Sequence, residues 1–386
     1  MSLTAFTGAT IFDGSNSHSN SALLVDSKRI SGIVAENDIP NVAKHHNLLG
    51  GIIAPGFVDL QVNGGGGVLF NDAQSVETLT KITVAHARFG TTALLPTLIT
   101  DTPERVAAAI DAVDQAITAG VAGIAGLHLE GPHVSVARKG AHDPALIRPM
   151  KDADLDMLLD AANRLPHLMI TVAPENVTPE QIKALSDAGV IVSLGHSNAP
   201  YEDCKTASEH GATCATHLFN AMSQLTGREP GLVGAALDTS NMHAGLIADG
   251  IHVSTASIRT ALHAKRGPAA IFLITDAMST VGSDITEFTL NGRTIYRQDN
   301  RLTLSDGTLA GANLNMPTAL RFMVKEIGLT LGAALTMATS APARVLGAKS
   351  IGTLAKDIPA NFVHLDEALN LQTVWQNGVK ISGSSI

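Results

Sequence analysis

The chain has 386 residues and a formal net charge of -9, and 45% of its residues are hydrophobic while 3% are aromatic. The negative charge argues against nucleic acid as a partner, and no apolar run is long enough to span a bilayer. The two cysteines, Cys204 and Cys214, give no disulfide framework, and the first residues lack the pattern of a secretory leader. We therefore expect a cytoplasmic α/β protein whose core is built from aliphatic side chains.

Both ends of the chain carry short β patterns that are broken by turn residues. These patterns lie at 9–12, 22–25 and 30–34, and at 360–365 and 373–379. Neither end alone has enough strands to bury a core. We predict that residues 1–53 and 346–386 pair into one small β-sandwich domain.

Between the two ends, apolar β-favouring segments alternate with helical patterns. The segments lie at 56–61, 91–96, 124–130, 168–174, 190–196, 212–217, 244–252 and 270–276. Eight strands that alternate with helices predict a closed (β/α)₈ barrel, a TIM-like fold, over residues 54–345. An open doubly wound sheet is the alternative, but Gly64–Gly67 lacks the glycine spacing of a dinucleotide-binding turn.

Polar residues stand at the ends of these strands, where barrel enzymes hold their active sites. His196 and His217 close two strands joined by a predicted helix at 198–210. The right-handed crossover makes those strands parallel, so both histidines leave at the same end. Together with Glu130, which ends an earlier strand, they make a His₂Glu set suited to a divalent metal with one open position. The alternatives are two structural histidines, and a Glu130 that pairs with Lys139 or caps a helix.

Two further residues could act in acid–base and electrophilic chemistry. Asp276 ends the last strand, and its carboxylate could move a proton from water to a leaving group or could simply cap the next segment. His142 follows the strand of Glu130 and could donate to a carbonyl oxygen that gains charge, or could have no role. We expect neither His128 nor His133 to be a metal ligand.

The candidates for an anion site are Arg228 and His252. Arg228 sits in a turn-rich loop, and its planar guanidinium suits phosphate or carboxylate, although a loop arginine is usually a solvated surface charge. Asn220 and Ala221, just past His217, could offer a side-chain amide and a backbone N–H to the same ligand.

Seven stretches taken together resemble the N-acetylglucosamine-6-phosphate deacetylase family of the amidohydrolase superfamily. The stretches are 55–64, 127–132, 195–199, 216–222, 227–231, 248–252 and 275–277. The resemblance covers nearly the whole chain. It implies a metal-dependent hydrolase that converts N-acetyl-D-glucosamine 6-phosphate to glucosamine 6-phosphate and acetate in amino-sugar catabolism. The alternatives are N-acetylgalactosamine 6-phosphate or another N-acyl amino sugar as substrate, and a non-catalytic sugar-phosphate sensor.

The resemblance also implies a role for each candidate residue. Glu130, His196 and His217 would bind one divalent metal, with zinc expected and iron, cobalt or manganese as alternatives. Asp276 would act as general base and then as acid, and His142 would help to polarise the acetamide carbonyl. The implied sugar-phosphate contacts are Ala141, His142, Asn220, Ala221, Arg228, His252, Leu309, Ala310 and Gly311. The resemblance further implies a homodimer in which Arg228 reaches the neighbouring subunit's site.

The chain departs from many amidohydrolases at the end of its first barrel strand. Those proteins have His-x-His there and hold two metals, whereas this sequence reads Gln61-Val62-Asn63. Neutral amides bind divalent transition metals poorly, so the departure favours a single metal.

Overall fold

The structure of the protein, a computed structural model, describes residues 3–381. Its centre is a parallel sheet of eight strands that follow one another in chain order, which confirms the predicted barrel. The strands span Phe57–Val62, Thr91–Ile99, Leu127–Glu130, Leu168–Val172, Ile191–Leu194, Ala212–Ala215, His243–Ile247 and Ile271–Ile274. Several strands end before the predicted segments do, because the polar residues after them leave the ladder and enter loops.

The seam between the first and last barrel strands is closed partly by a side chain. The N–H of Asp276 donates to the carbonyl of Gln61 over 3.0 Å. The buried carboxylate of Asp59 accepts from the N–H and the hydroxyl of Thr275 at 3.2 and 2.5 Å. Burial raises the pKa of Asp59 to about 7. This closure brings the residues that follow the first and last strands to the same end of the barrel.

Helices connect the strands and cover the outside of the barrel. They span Val76–Ala87, Pro103–Thr118, Asp152–Arg164, Pro179–Asp187, Tyr201–Glu209, Gly231–Asp238, Thr255–Ala264, Met316–Phe322, Leu331–Ala338 and Ser340–Val345. None of the helices within residues 3–381 is long and apolar enough to cross a bilayer.

Local hydrogen bonds explain where two of these helices begin. Thr178 and Gln181 form a capping box at the helix that begins at Pro179, and the hydroxyl of Thr178 accepts from the N–H of Gln181. The helix between the two histidine strands begins only at Tyr201, so the predicted start at 198 was wrong. Asn198 is held in a loop instead, because its N–H donates to the carboxylate of Glu175 over 2.7 Å.

The two ends of the chain form facing sheets, which confirms the predicted β-sandwich. One sheet contains Leu3–Thr7, Ser21–Asp26, Arg29–Ala35 and Lys44–Asn47, and the other contains Thr10–Phe12, Ser17–His18, Ile52–Pro55, Phe362–Leu365, Leu371–Gln376 and Val379–Ile381. The rings of Phe6, Phe362 and Trp375 pack between the sheets with centroids 4.6 to 5.1 Å apart. The domain boundaries proposed above stay a prediction, and residues 1–2 and 382–386 lie outside the described part of the chain.

The β pattern at 373–379 contains the end of the strand Leu371–Gln376, a hairpin turn, and the first residue of the strand Val379–Ile381. Asn377 and Gly378 have positive φ of 51° and 73°, and the chain reverses there. Asn-Gly is the dipeptide that favours this kind of tight hairpin turn.

An antiparallel sheet that the sequence analysis missed follows the last barrel strand. Its three strands are Glu287–Leu290, Arg293–Gln298 and Arg301–Thr303, and we call them the inserted sheet. Leu290, Ile295 and Leu302 bury its inner face against Met278 and Ala310. The available signal was the pair of turn dipeptides at 291–292 and 299–300, all four residues of which have positive φ.

Candidate active site and metal centre

A cavity of about 490 Å³ lies where the barrel strands end. Nearly all the residues predicted for the site line it, namely Glu130, Ala141, His142, His196, His217, Asn220, Ala221, His252, Asp276, Leu309, Ala310 and Gly311. The exception is Arg228, which lies on an exposed loop away from this lining. Its predicted contact with a neighbouring subunit's site stays a prediction.

Three donor atoms converge at the floor of the cavity. Oε1 of Glu130 lies 3.2 Å from Nε2 of His196 and 3.0 Å from Nε2 of His217. The two Nε2 atoms are only 2.9 Å apart. Unprotonated ring nitrogens repel at this distance, and a cation shared with the carboxylate removes the conflict. The set therefore fits one divalent metal, and Glu130 pairs with histidines rather than with Lys139.

The surroundings of His196 and Glu130 favour the ligand form of each of these two groups. Nδ1 of His196 lies 2.9 Å from the carbonyl oxygen of Arg138, which only accepts, so Nε2 presents its lone pair to the cluster. Burial would raise the pKa of Glu130, but its close contacts with His196 and His217 hold that pKa well below its usual value. His142 also lies nearby, but its Nε2 is 3.9 Å from the other oxygen of Glu130, which places it outside the tight triad.

Asp276 is buried beside the triad and is held by two amides. Nε2 of Gln61 donates to Oε1 of Glu130 over 2.9 Å and to Oδ1 of Asp276 over 3.0 Å. Nδ2 of Asn63 donates to the same Oδ1 over 2.7 Å. Burial first, and then the charge of Glu130, raises the pKa of Asp276 to about 6. With Oδ1 occupied, Oδ2 is the oxygen left to exchange a proton.

The backbone is strained at three of these four residues. His196, His217 and Asp276 have φ of 46°, 31° and 50°, in the left-handed region that residues with a Cβ rarely adopt. Each of them follows the end of a barrel strand, where this turn directs the side chain into the cavity. Asp276 is followed by no helix until Met316, so it is not the helix cap considered above. Backbone strain at residues whose side chains meet in a cavity is typical of functional sites.

His142 has a hydroxyl partner that sequence reasoning missed. Oγ1 of Thr100 lies 2.6 Å from Nδ1 of His142, although the two residues are 42 positions apart. Burial, followed by the charge of His196, holds the pKa of His142 well below its usual value, so the ring is neutral near pH 7. Oγ1 of Thr100 also lies 3.3 Å from the carbonyl oxygen of Glu130, so its one hydrogen has two acceptors within reach. When it donates to the closer Nδ1 of His142, the neutral ring carries its hydrogen on Nε2.

His252 is fixed by a carboxylate that sequence reasoning also missed. Nδ1 of His252 lies 2.6 Å from Oδ2 of Asp249, and both side chains are nearly buried. Oδ1 of Asp249 accepts from the N–H groups of Ile251 and His252 at 2.8 Å each. Because a carboxylate only accepts, Nδ1 carries the hydrogen and the ring has one fixed orientation at the cavity wall.

The two histidines that we did not expect to bind metal lie elsewhere. Nδ1 of His128 is 3.0 Å from the carbonyl of Leu60, and its Nε2 is 2.8 Å from the hydroxyl of Thr171 inside the barrel. Nδ1 of His133 is 3.0 Å from the carbonyl of Arg148. Both rings therefore have structural partners away from the triad.

Residues 52–381 match the Amidohydrolase family. The chain belongs to the amidohydrolase family. A buried group of Glu130, His142 and His196, whose ligand atoms all lie within 4.8 Å of one another, accordingly supports a divalent metal in this hydrolase of amide bonds.

Several relatives of this amidohydrolase are named as deacetylases of N-acetylated sugar 6-phosphates. It is 46% identical to the N-acetylgalactosamine-6-phosphate deacetylase of a Shewanella species, over 86% of this chain and 84% of that protein. It is 36% identical to the N-acetylglucosamine-6-phosphate deacetylase of Haemophilus influenzae, over 88% and 89%. The crystal structure of N-acetylglucosamine-6-phosphate deacetylase from Pasteurella multocida superimposes with a TM-score of 0.94 at 36% identity, covering 99% of this chain and all of that one.

Proposed function

We propose that this amidohydrolase removes the acetyl group of N-acetyl-D-glucosamine 6-phosphate. The observation that carries the proposal is the convergence of Glu130, His196 and His217 beside a buried Asp276 in one cavity. Support comes from relatives that bear this activity in their names and match the chain over most of its length.

The triad would hold the metal of this reaction. The donors Glu130, His196 and His217 suit zinc best, with iron, cobalt or manganese as alternatives. When bound, the metal supplies Lewis-acid activation of the carbonyl and a lowered pKa for water. Because the amides of Gln61 and Asn63 already donate to the carboxylates, we propose a single metal for each chain.

The side chains around the metal site would move the protons. Oδ2 of Asp276 accepts a proton from the attacking water while the oxygen of that water bonds to the acetamide carbon. The Nε2–H of His142 donates to the carbonyl oxygen while negative charge builds there. The C–N bond then breaks, and Asp276 returns the proton to the departing amine, which leaves acetate and glucosamine 6-phosphate.

The remaining lining residues would hold the sugar phosphate. We assign polar contacts with the ligand to the side chains of Asn220 and His252 and to the backbone of Ala221. We assign packing against the face of the sugar to Ala141 and the segment 309–311, because all of these residues line the same cavity. We further propose a cytoplasmic homodimer in which Arg228 reaches the neighbouring site. Sedimentation of the wild-type protein would test the dimer. Recovery of activity on mixing Arg228→Ala with Asp276→Asn chains would test the shared site.

A second candidate substrate is N-acetylgalactosamine 6-phosphate, which the relative at 46% identity favours. We expect acetate release from both epimers, with the higher kcat/KM for the gluco form. A higher value for the galacto form would reassign the substrate. No acetate from either sugar, in protein shown by elemental analysis to contain its metal, would overturn the enzymatic proposal and favour a sugar-phosphate sensor.

A further inference from the structure

The cavity contains two basic side chains, those of Arg138 and Lys139. Within residues 3–381 they are the only lysine or arginine residues that line it. The net charge of the chain is -9, so an anionic ligand depends on positive charge close to the cavity. Arg228 lies outside this lining, so Arg138 and Lys139 are the lysine and arginine cations that the described part of the chain offers at the cavity.

Arg138 has the geometry of a prepared anion donor. Its Nε donates to Oδ1 of Asn198 over 2.9 Å, which fixes the plane of the guanidinium. No described residue accepts from its two terminal nitrogens, so four N–H groups remain for a ligand. A planar pair of terminal nitrogens matches two oxygens of a phosphate.

The anchor of Arg138 is itself rigid and is shared with the metal centre. The carbonyl of Arg138 accepts from Nδ1 of His196, so one residue contacts a metal ligand through its backbone and Asn198 through its side chain. The N–H of Asn198 and the hydroxyl of Ser197 both donate to Glu175 at 2.7 Å. An anion held by Arg138 is therefore fixed in position relative to His196.

The same anchor adjoins the segment proposed to hold the sugar phosphate. The N–H of Ser197 donates to the carbonyl of Ala221 over 3.2 Å, and the N–H of Ser223 donates back to Ser197 over 2.9 Å. The loop that carries Asn198 is thus paired with the loop that carries Asn220 and Ala221. A phosphate at the latter loop lies on the side of the cavity that Arg138 borders.

We propose that Arg138, with Lys139 beside it, binds the phosphate of the substrate within its own chain. The inference rests on the proposed function and adds a phosphate contact that this chain makes without its neighbour. Arg138 supplies the paired hydrogen bonds, and Lys139 adds a flexible point charge.

Kinetics with a matched pair of sugars test this role. Arg138→Ala should raise KM for N-acetyl-D-glucosamine 6-phosphate by about 10- to 100-fold, the usual loss for a charged hydrogen-bonded contact, with kcat nearly unchanged. The kcat/KM for unphosphorylated N-acetyl-D-glucosamine should stay the same. Arg138→Lys should fall between Arg138→Ala and wild type. The control is Arg266→Ala, at an exposed arginine paired with Asp238, which should leave the kinetics with both sugars unchanged.

Direct binding separates this inference from the activity itself. Calorimetry of glucosamine 6-phosphate with metal-loaded protein should show weaker binding to Arg138→Ala, while glucosamine binds both proteins equally. If no sugar is deacetylated, the proposed function fails but calorimetry still tests Arg138. An equal loss of kcat/KM with both sugars in Arg138→Ala would overturn the inference and leave Arg138 as a support for His196. An unchanged KM of Arg138→Ala for the phosphorylated sugar would also overturn it. If Arg138→Ala loses its metal, the kinetics of Arg138→Lys test the inference instead. Wild-type kinetics of Arg138→Lys with both sugars would then contradict a paired hydrogen-bonded contact between Arg138 and the phosphate.

Discussion

The hydroxyl of Thr100 lies 2.6 Å from Nδ1 of His142 in the buried wall of the cavity. When this hydroxyl donates, the neutral ring carries its hydrogen on Nε2, which is the tautomer that can donate to a carbonyl oxygen. In that arrangement, with the carbonyl of Glu130 3.3 Å away left without this hydrogen, the hydroxyl selects which ring nitrogen faces the chemistry, much as carboxylates do for histidines in other sites.

Removing this hydroxyl should slow the reaction without weakening binding. We expect Thr100→Val, which keeps the shape of the side chain, to lower kcat by about 10- to 100-fold because the tautomer is no longer fixed. KM should change little. The matched control is Thr100→Ser, which keeps the hydroxyl and should retain most of kcat. Similar rates for the two variants in steady-state acetate release would contradict the role of the hydroxyl.

Asp276→Asn should abolish turnover and spare binding. An amide cannot accept and return the proton, so kcat should fall by about 1,000-fold or more. The oxygen of the new amide can still accept from Gln61 and Asn63, so the site should keep its shape. Calorimetry should find the substrate affinity retained, and elemental analysis should find the metal still present. Substantial residual turnover would remove Asp276 from the mechanism.

Activity should depend on one metal for each chain. A chelator should abolish acetate release, and a single equivalent of a divalent metal should restore it. The reason is that the three ligand atoms of Glu130, His196 and His217 lie close enough together to bind one ion. His217→Ala should lose most of the bound metal, as measured by elemental analysis. His263→Ala, on an exposed helix surface, serves as its control. Full activity in protein shown to be free of metal would exclude this assignment.

The seam carboxylate Asp59 should make folding stability depend on pH. Burial raises its pKa to about 7 in the folded protein, whereas an unfolded chain gives about 4. Between these values the folded state holds the extra proton, so this contribution to stability is full at low pH and is lost as the pH rises through about 7. Asp59→Asn cannot titrate. In thermal melts, the difference between the Tm of wild type and the Tm of the variant should therefore decrease as the pH rises from about 5 to about 8. A constant difference would refute the shift.

The local pattern of the sequence was enough to predict the barrel and the centre of the site. Each barrel strand is an apolar run that ends at a polar residue, and parallel strands bring those ends together, so Glu130, His196, His217 and Asp276 could be placed on one rim. The small sandwich followed from the same reasoning, because neither end of the chain has enough strands alone.

The partners of the site residues could not be predicted in this way. The contacts of Thr100 with His142 and of Arg138 with Asn198 join residues about 40 and 60 positions apart, and loop conformation decides them. Gln61 and Asn63 were noticed only as unsuitable ligands, because their role as donors depends on the distance to Asp276. The inserted sheet was missed because its strands are short and mostly polar.

The left-handed backbone at His196, His217 and Asp276 implies a trade-off between stability and activity. Each of these residues holds a conformation that glycine would adopt at little cost, and each costs the fold roughly 1 kcal/mol or more. Engineering this protein for heat resistance alone would favour glycine at these three positions. Such a selection would remove the reactive groups first, so thermostable variants should be sought in the sandwich and on the outer helices.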